Sequence, residues 1–275
     1  MADQPPGRSE AEHYQPEAPV GRLGDAVVPV HYNLELRIDP NEESFSGKVS
    51  IDAKVREALD NLWLHGDDFE IDDIFLTDQA GNRVAASYEQ KHDSGVSLVS
   101  LERTVDSGPV TLDIHFRRPF ETEEEGLFRV VRGEDAYVAT QFESIAARKA
   151  FPGFDEPAFK VPFDLALVTR PDHVAITTTP EIGIETLDDG YVRHVFDTTR
   201  PMPTYLLAFA VGPYDLVDYG TIPANAIRDR ELPLRAVAAR GLGERLEYAL
   251  ENTDGILTGL EQYFGTPYPY KKLDL

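Results

Sequence analysis

Among the side chains able to do chemistry, Gln141 and Glu143 stand out by their spacing. They close a run, Tyr137–Thr140, whose alternation reads as a β-strand. Strand geometry turns Gln141 and Glu143 to one face and Phe142 to the other. A carboxylate and a neutral amide pointing the same way suit an ammonium group: the carboxylate supplies the charge and the amide oxygen accepts a second hydrogen bond. A charge-assisted bond of this kind contributes about 1.5–3 kcal/mol. The same pattern also describes a polar strand end facing water, which on residue types alone is the more frequent outcome. Further on, Arg148 precedes Asp155-Glu156-Pro157. An arginine ahead of a carboxylate pair in a proline-framed turn reads as an ion-paired loop anchor, which is support rather than chemistry.

Other chemistries are excluded by composition and spacing. The 275 residues include no cysteine, which removes disulfides, thiolate metal sites and cysteine nucleophiles. The histidines are His13, His31, His65, His92, His115, His173 and His194, and none forms the HExxH pair that places two imidazoles on one helix face. His65 and His115 adjoin strand residues and read as structural or surface groups. Neither a GxSxG elbow nor a phosphate-cradling glycine loop occurs. A net charge of −23 argues against nucleic acid as a partner, because phosphate binding needs clustered Lys and Arg. The acidity reads as a solvated surface, with the run Glu121 to Glu125 contributing to it. No apolar run approaches the ~20 residues of a membrane span. Met1 to Pro19 carries no apolar signal-peptide core. The compartment stays open: cytoplasmic, or exported with a signal removed.

The elements that must position these residues are mostly strands. Residues 1–27, rich in Pro, Glu and Gln, read as a flexible leader. From Val28 a period of two takes over: Tyr32, Leu34, Leu36 and Ile38 share a face, Asp39-Pro-Asn41 signals a turn, and Phe45, Val49, Ile51 and Val55 share the next face, as in a hairpin. Further strands are expected at Leu62–Leu64, Ile71–Leu76, Gly95–Leu101, Val110–Phe116, Tyr137–Thr140, Val161–Thr169, Val174–Thr178, Tyr191–Phe196 and Tyr205–Val211. Short strands without helical periods argue for a mainly β domain over 28–217, an antiparallel sandwich or an open curved sheet. The tail differs. Leu234–Ala238 suits one more strand. Leu246, Leu250, Thr253, Leu257, Leu260 and Phe264 recur at helical steps, with Gly265, Pro267 and Pro269 as stops. That helix has nothing of its own to pack against and reads as the opening of a second domain, 218–275.

Here the residues resemble a known family. Thr140-Gln-Phe-Glu143 followed by Ala147-Arg-Lys-Ala-Phe-Pro-Gly-Phe-Asp-Glu-Pro-Ala-Phe-Lys160 is similar to the aminopeptidase N family of zinc metallopeptidases. Pro29-Val-His-Tyr32, Gly126-Leu-Phe-Arg129, Pro203-Thr-Tyr-Leu-Leu-Ala-Phe209 and Tyr263-Phe-Gly-Thr-Pro-Tyr-Pro269 with Lys272-Leu-Asp-Leu275 extend the resemblance, in order, from about Val28 to Leu275. It implies a saddle-like N-terminal β-domain resting on a thermolysin-like α/β domain, of which this chain holds the first strand and helix. It also implies removal of N-terminal residues from peptides, with Glu143 holding the free α-amino group and Gln141 lining the pocket beside it. The cofactor implied is Zn2+, with ligands beyond Leu275 and none in this chain, which by itself is then inactive. Ser144-Ile-Ala146 and Gly153 depart from residues common in the family and imply an altered side-chain preference. The alternatives are a non-catalytic binding or scaffold protein that keeps this fold, and a free-standing β-sandwich that binds glycan or protein.

Overall fold

The computed structural model describes residues 17–275, so the greater part of the expected leader lies outside the described residues. Where the described chain begins, Leu23 packs against the core and its amide donates to Glu156 Oε1 at 2.6 Å. Strand β1 (Val27–Arg37) then follows the expected alternation, burying Tyr32, Leu34 and Leu36, with Ile38 just beyond it. The chain turns where Asp39 accepts two amides: that of Asn41 on Oδ1 at 3.0 Å and that of Glu42 on its carbonyl at 3.0 Å. Strand β2 (Ser44–Val55) returns antiparallel with Val49 opposite Leu34, and Phe45, Val49, Ile51 and Val55 face the core. Gly47 interrupts that apolar row for a steric reason. A Cβ there would lie 2.6 Å from both Leu36 Cδ2 and Phe116 Cζ.

Eight more strands join these two in one sheet: β3 (Leu59–His65), β4 (Glu70–Thr77), β5 (Arg83–Gln90), β6 (Val96–Val105), β7 (Gly108–Pro119), β10 (Phe163–Thr169), β12 (Glu181–Thr186) and β13 (Val192–Phe196). Their order across the sheet is β12-β13-β10-β1-β2-β7-β4-β5-β6-β3. A second sheet of four strands, in the order β11-β14-β9-β8, comprises β8 (Gly126–Arg132), β9 (Asp135–Gln141), β11 (Val174–Thr177) and β14 (Phe209–Gly212). Both sheets contribute to one continuous core, in which Leu127, Val138, Phe142, Phe209 and Val211 meet the apolar face of β1 and β2.

The mainly β architecture is as expected, with local differences. The large sheet is not wholly antiparallel: β10 lies parallel to β1, pairing Tyr32 with Phe163. The pairing makes β10 an interior strand covered on both faces, which suits its nearly continuous apolar run. Strands β5, β8, β12 and a further strand, β15 (Tyr214–Ile222), were not expected; in β8, β12 and β15 many exposed residues erase the alternation, whereas β5 keeps it through Val84, Ala86 and Tyr88. The expected strand over Tyr205–Val211 begins late. Thr204–Leu206 forms a 3-10 turn instead, its Thr204 hydroxyl held by Asp155 Oδ1 at 2.5 Å.

The helix is not without a partner, contrary to expectation. Strand β15 pairs with β16 (Leu232–Ala239), which pairs in parallel with β17 (Leu273–Asp274). Helix α1 (Glu247–Phe264) covers this small sheet, and Leu250 and Leu257 join Ile222, Leu232, Leu234 and Ala236 in a second core. Its inward face also differs from the expected stripe: Leu250, Thr253 and Leu257 are buried, but Glu261 takes the fourth place, while Leu260 and Phe264 are exposed. The helix ends at Gly265, whose φ of 65° provides the left-handed stop that its position in the sequence predicts. No described helix is long and apolar enough to cross a membrane.

Glu261 goes inward because Arg228 is there. The two side chains are 3% and 1% exposed and pair at 2.9 Å. Glu261 also accepts Asn225 Nδ2 at 2.7 Å and the Tyr268 amide at 2.8 Å, and Arg228 donates further to the carbonyls of Ile222, Arg230 and Pro223. Burial alone would push the Glu261 carboxyl up, but the Tyr268 amide, Asn225 and Arg228 outweigh it and hold the carboxyl below its usual range. A carboxyl lowered in the folded state stabilises above its unfolded pKa of about 4.3, and the benefit disappears as pH falls through the folded value. Acid should therefore loosen α1. Arg228→Ala strands a buried carboxylate and should cost about 3–5 kcal/mol, measured as lost amide-exchange protection in α1. Unchanged protection would show that Glu261 finds another partner.

Candidate functional site

Strand β9 is held on both sides, by β8 (Leu127 opposite Thr140) and by β14 (Ala139 opposite Ala210). At its end Thr140 Oγ1 donates to the Phe209 carbonyl at 3.3 Å and accepts the Phe209 amide at 3.1 Å. Phe142 turns into the core, edge-on to Phe209 and Phe151 with centroids 6.0 and 6.3 Å away. The burial of Phe142 leaves its neighbours Gln141 and Glu143 exposed, as alternation predicts. The Glu143 amide donates to Gln141 Oε1 at 3.3 Å, so the Gln141 side chain folds back over the turn it precedes. The Glu143–Ser144 peptide is cis. Among the described residues, the Glu143 carboxylate makes no hydrogen bond or ion pair.

Below this turn lies a buried polar frame. Residues 147–149 form a 3-10 turn from which Arg148 reaches Asp155. Asp155 Oδ2 accepts the Arg148 amide at 3.2 Å and Arg148 Nε at 3.1 Å, and the guanidinium also donates to the carbonyls of Ser94 at 2.6 Å and Asp155 at 3.1 Å. The Arg148 carbonyl accepts the Asp67 amide at 2.9 Å. Lys149, next along, is fixed by Glu125 at 2.6 Å, with Glu121 nearby at 3.8 Å. The acidic run 121–125 is thus recruited to the frame at two positions, which its composition does not reveal.

Tyr32 and His65 close the frame. The Tyr32 hydroxyl accepts the Phe154 amide at 2.8 Å, and its ring stacks on Phe163 with centroids 4.8 Å apart. Gly153 allows that approach: a Cβ there would meet Tyr32 Cε1 and Oη at 3.0 Å. His65 and Gly153 exchange backbone hydrogen bonds, both at 2.8 Å. The His65 ring is 2% exposed and its Nδ1 has no partner. Burial, reinforced by the Arg148 charge, lowers its pKa to about 3. His115, by contrast, points to solvent from β7. The structure therefore leaves Gln141 and Glu143 exposed at the end of β9, with Arg148, Asp155 and His65 buried nearby.

Residues 28–206 match the Peptidase M1 N-terminal domain. The chain belongs to the M1 peptidase family. It is 30% identical over 263 residues to human endoplasmic reticulum aminopeptidase 1, covering 92% of this chain and 27% of that protein. It is 32% identical over 279 residues to mouse thyrotropin-releasing hormone-degrading ectoenzyme (99% and 26%), and 31% identical over 263 residues to bovine glutamyl aminopeptidase (92% and 27%). The chain thus spans about a quarter of the length of these relatives. Zinc sites draw on three or four His, Cys, Asp or Glu ligands. Among the described residues, no group of three or more His, Cys, Asp or Glu is placed to hold a metal ion.

The lowered pKa of His65 has a direct readout. The unfolded imidazole takes its proton near pH 6.5 and the folded one only near 3, so stability is full above about 6.5 and declines as pH falls below it. In an NMR titration the His65 ring signals should stay constant from pH 8 to 5. A midpoint within that range would place His65 outside the buried frame.

Proposed function

We propose that this chain is the N-terminal substrate-recognition part of a zinc-dependent aminopeptidase that removes N-terminal residues from peptides. Residues 28–217 form the recognition domain and 218–275 open the catalytic domain. Glu143 anchors the substrate's free α-amino group, and Gln141 shapes the pocket wall beside it. The observation that carries this reading is the exposed Glu143 carboxylate, unpaired among the described residues, at the end of β9 beside the buried Phe142. An exopeptidase must tell a terminal ammonium from an internal amide, and a fixed negative charge makes that distinction. The α-amino group, with a pKa of about 7.7–8.0, is largely charged at neutral pH. Gln141 acts on geometry: its amide oxygen occupies the Glu143 N–H, which holds the turn that presents the carboxylate.

Family membership supports the peptidase class, and the names of the relatives support the aminopeptidase reading. A zinc ion bound in the longer enzyme would polarise the scissile carbonyl and activate water. The residues here would bind and orient the substrate.

In the longer enzyme, Glu143→Ala should lower kcat/KM for peptides with a free N-terminus by about 10- to 150-fold, the equivalent of one charge-assisted hydrogen bond. An unchanged kcat/KM would remove Glu143 from the site. The 275-residue chain alone, supplied with zinc, should release no amino acid from a peptide. Measurable turnover by the pure chain would overturn the division of labour proposed here.

A further inference from the structure

The three-stranded sheet with α1 meets the four-stranded sheet at two main places, and Tyr270, just before β17, also packs against the large core. The first is where the chain itself crosses, at Gly212–Tyr214. There the Tyr137 and Tyr214 rings lie 4.9 Å apart, the Arg240 amide donates to Tyr137 Oη at 3.0 Å, and Arg240 pairs with Asp135 at 2.9 Å. Contacts gathered around one crossing hold position but leave rotation free. The second place lies across a cleft of about 530 Å3, whose walls include Phe209 from one sheet and Val237 from the other. There Lys272, one residue before β17, sends its ammonium out of its own sheet to the Thr177 carbonyl at the end of β11, at 2.6 Å.

That ammonium is a costly group to place. Lys272 is 8% exposed, and burial holds it below the usual lysine range despite its hydrogen bond to Asp274. Asp274 needs Lys272 little, because Arg235 already binds it through two bonds of 2.9 Å. The neighbouring Lys271–Asp197 pair is largely exposed on its lysine side and contributes little. A buried cation whose carboxylate is otherwise satisfied, and which donates to a carbonyl of another sheet, is placed to hold those two sheets together. The path onward is short: β11 pairs with β14, and β14 with β9, which ends at Gln141.

We infer that Lys272 is a positioning residue: its bond to the Thr177 carbonyl fixes the angle at which the three-stranded unit meets the sheet that carries Gln141 and Glu143. The second unit thereby keeps its place relative to the Glu143 carboxylate. The consequence for catalysis rests on the amine-anchor reading above, whereas the positioning itself does not.

Because the chain lacks cysteine, two introduced ones are unique spin-label sites. Val131→Cys on β8 and Ile256→Cys on α1 replace exposed residues, one on each unit. Pulsed electron–electron resonance should give one narrow label–label distance in this otherwise unaltered chain. Lys272→Met removes the tether and leaves Asp274 with Arg235; the distribution should broaden about twofold or split. Lys272→Arg, which keeps a cation, should narrow it again. A Lys272→Met distribution as narrow as the parent's overturns the inference. So does loss of the strand circular-dichroism signal in that variant, since Lys272 would then uphold the fold rather than an angle. Neither result depends on Glu143→Ala, so the two ideas fail separately.

Discussion

The buried ion pair between Arg148 and Asp155 is the fixed point of this structure. Taking both charges from water costs several kcal/mol, which their attraction offsets only if the remaining donors and acceptors are also satisfied. Here two of the satisfying groups come from distant parts of the chain, the Ser94 carbonyl and the Thr204 hydroxyl, and two from the pair itself, the Arg148 amide and the Asp155 carbonyl. The pair therefore specifies one arrangement of the 147–157 loop more than it adds net stability. Residues that pack on the loop inherit that specification, including Tyr32 through the Phe154 amide and His65 through Gly153. Gln141 and Glu143 follow, because Phe142 between them is buried against Phe151 of the same loop.

The same rule governs the other buried charges. Arg228 and Glu261 tie a loop, a helix and the segment after it, with every strong donor and acceptor occupied. Lys272, Asp274 and Arg235 do so where two sheets meet. Against these stands a surface dominated by carboxylates, which keep their hydration and interact weakly through salt-screened water. Glu143 belongs to neither class: its side chain is exposed like the surface acids, while its backbone sits next to Phe142, which the buried loop holds.

The strands of the large sheet were legible wherever one face is buried, because burial writes a period of two into the sequence, as in Tyr32, Leu34, Leu36 and Ile38. Strands β8, β12 and β15 were not legible, since much of their surface stays in water and nothing constrains alternate residues to be apolar, whereas the alternation of Val84, Ala86 and Tyr88 in β5 was there to be read. The inward face of α1 was misread at Leu260 and Phe264, because the fourth inward position is a glutamate that becomes tolerable only beside Arg228. The pairing of Arg148 with Asp155 was legible from the proline-framed turn. The use of Glu125 to fix Lys149 was not.

The sequence by itself determined the mainly β class, the end of the helix at Gly265 and the shared face of Gln141 and Glu143. Each of these follows from local geometry: strand alternation, or the freedom of glycine at positive φ. Only the tertiary structure decided that β10 runs parallel to β1, that α1 closes a second core, and that the Glu143 carboxylate is left unpaired. These depend on which distant segments meet, and contacts between residues far apart in the chain leave no periodic mark on either one.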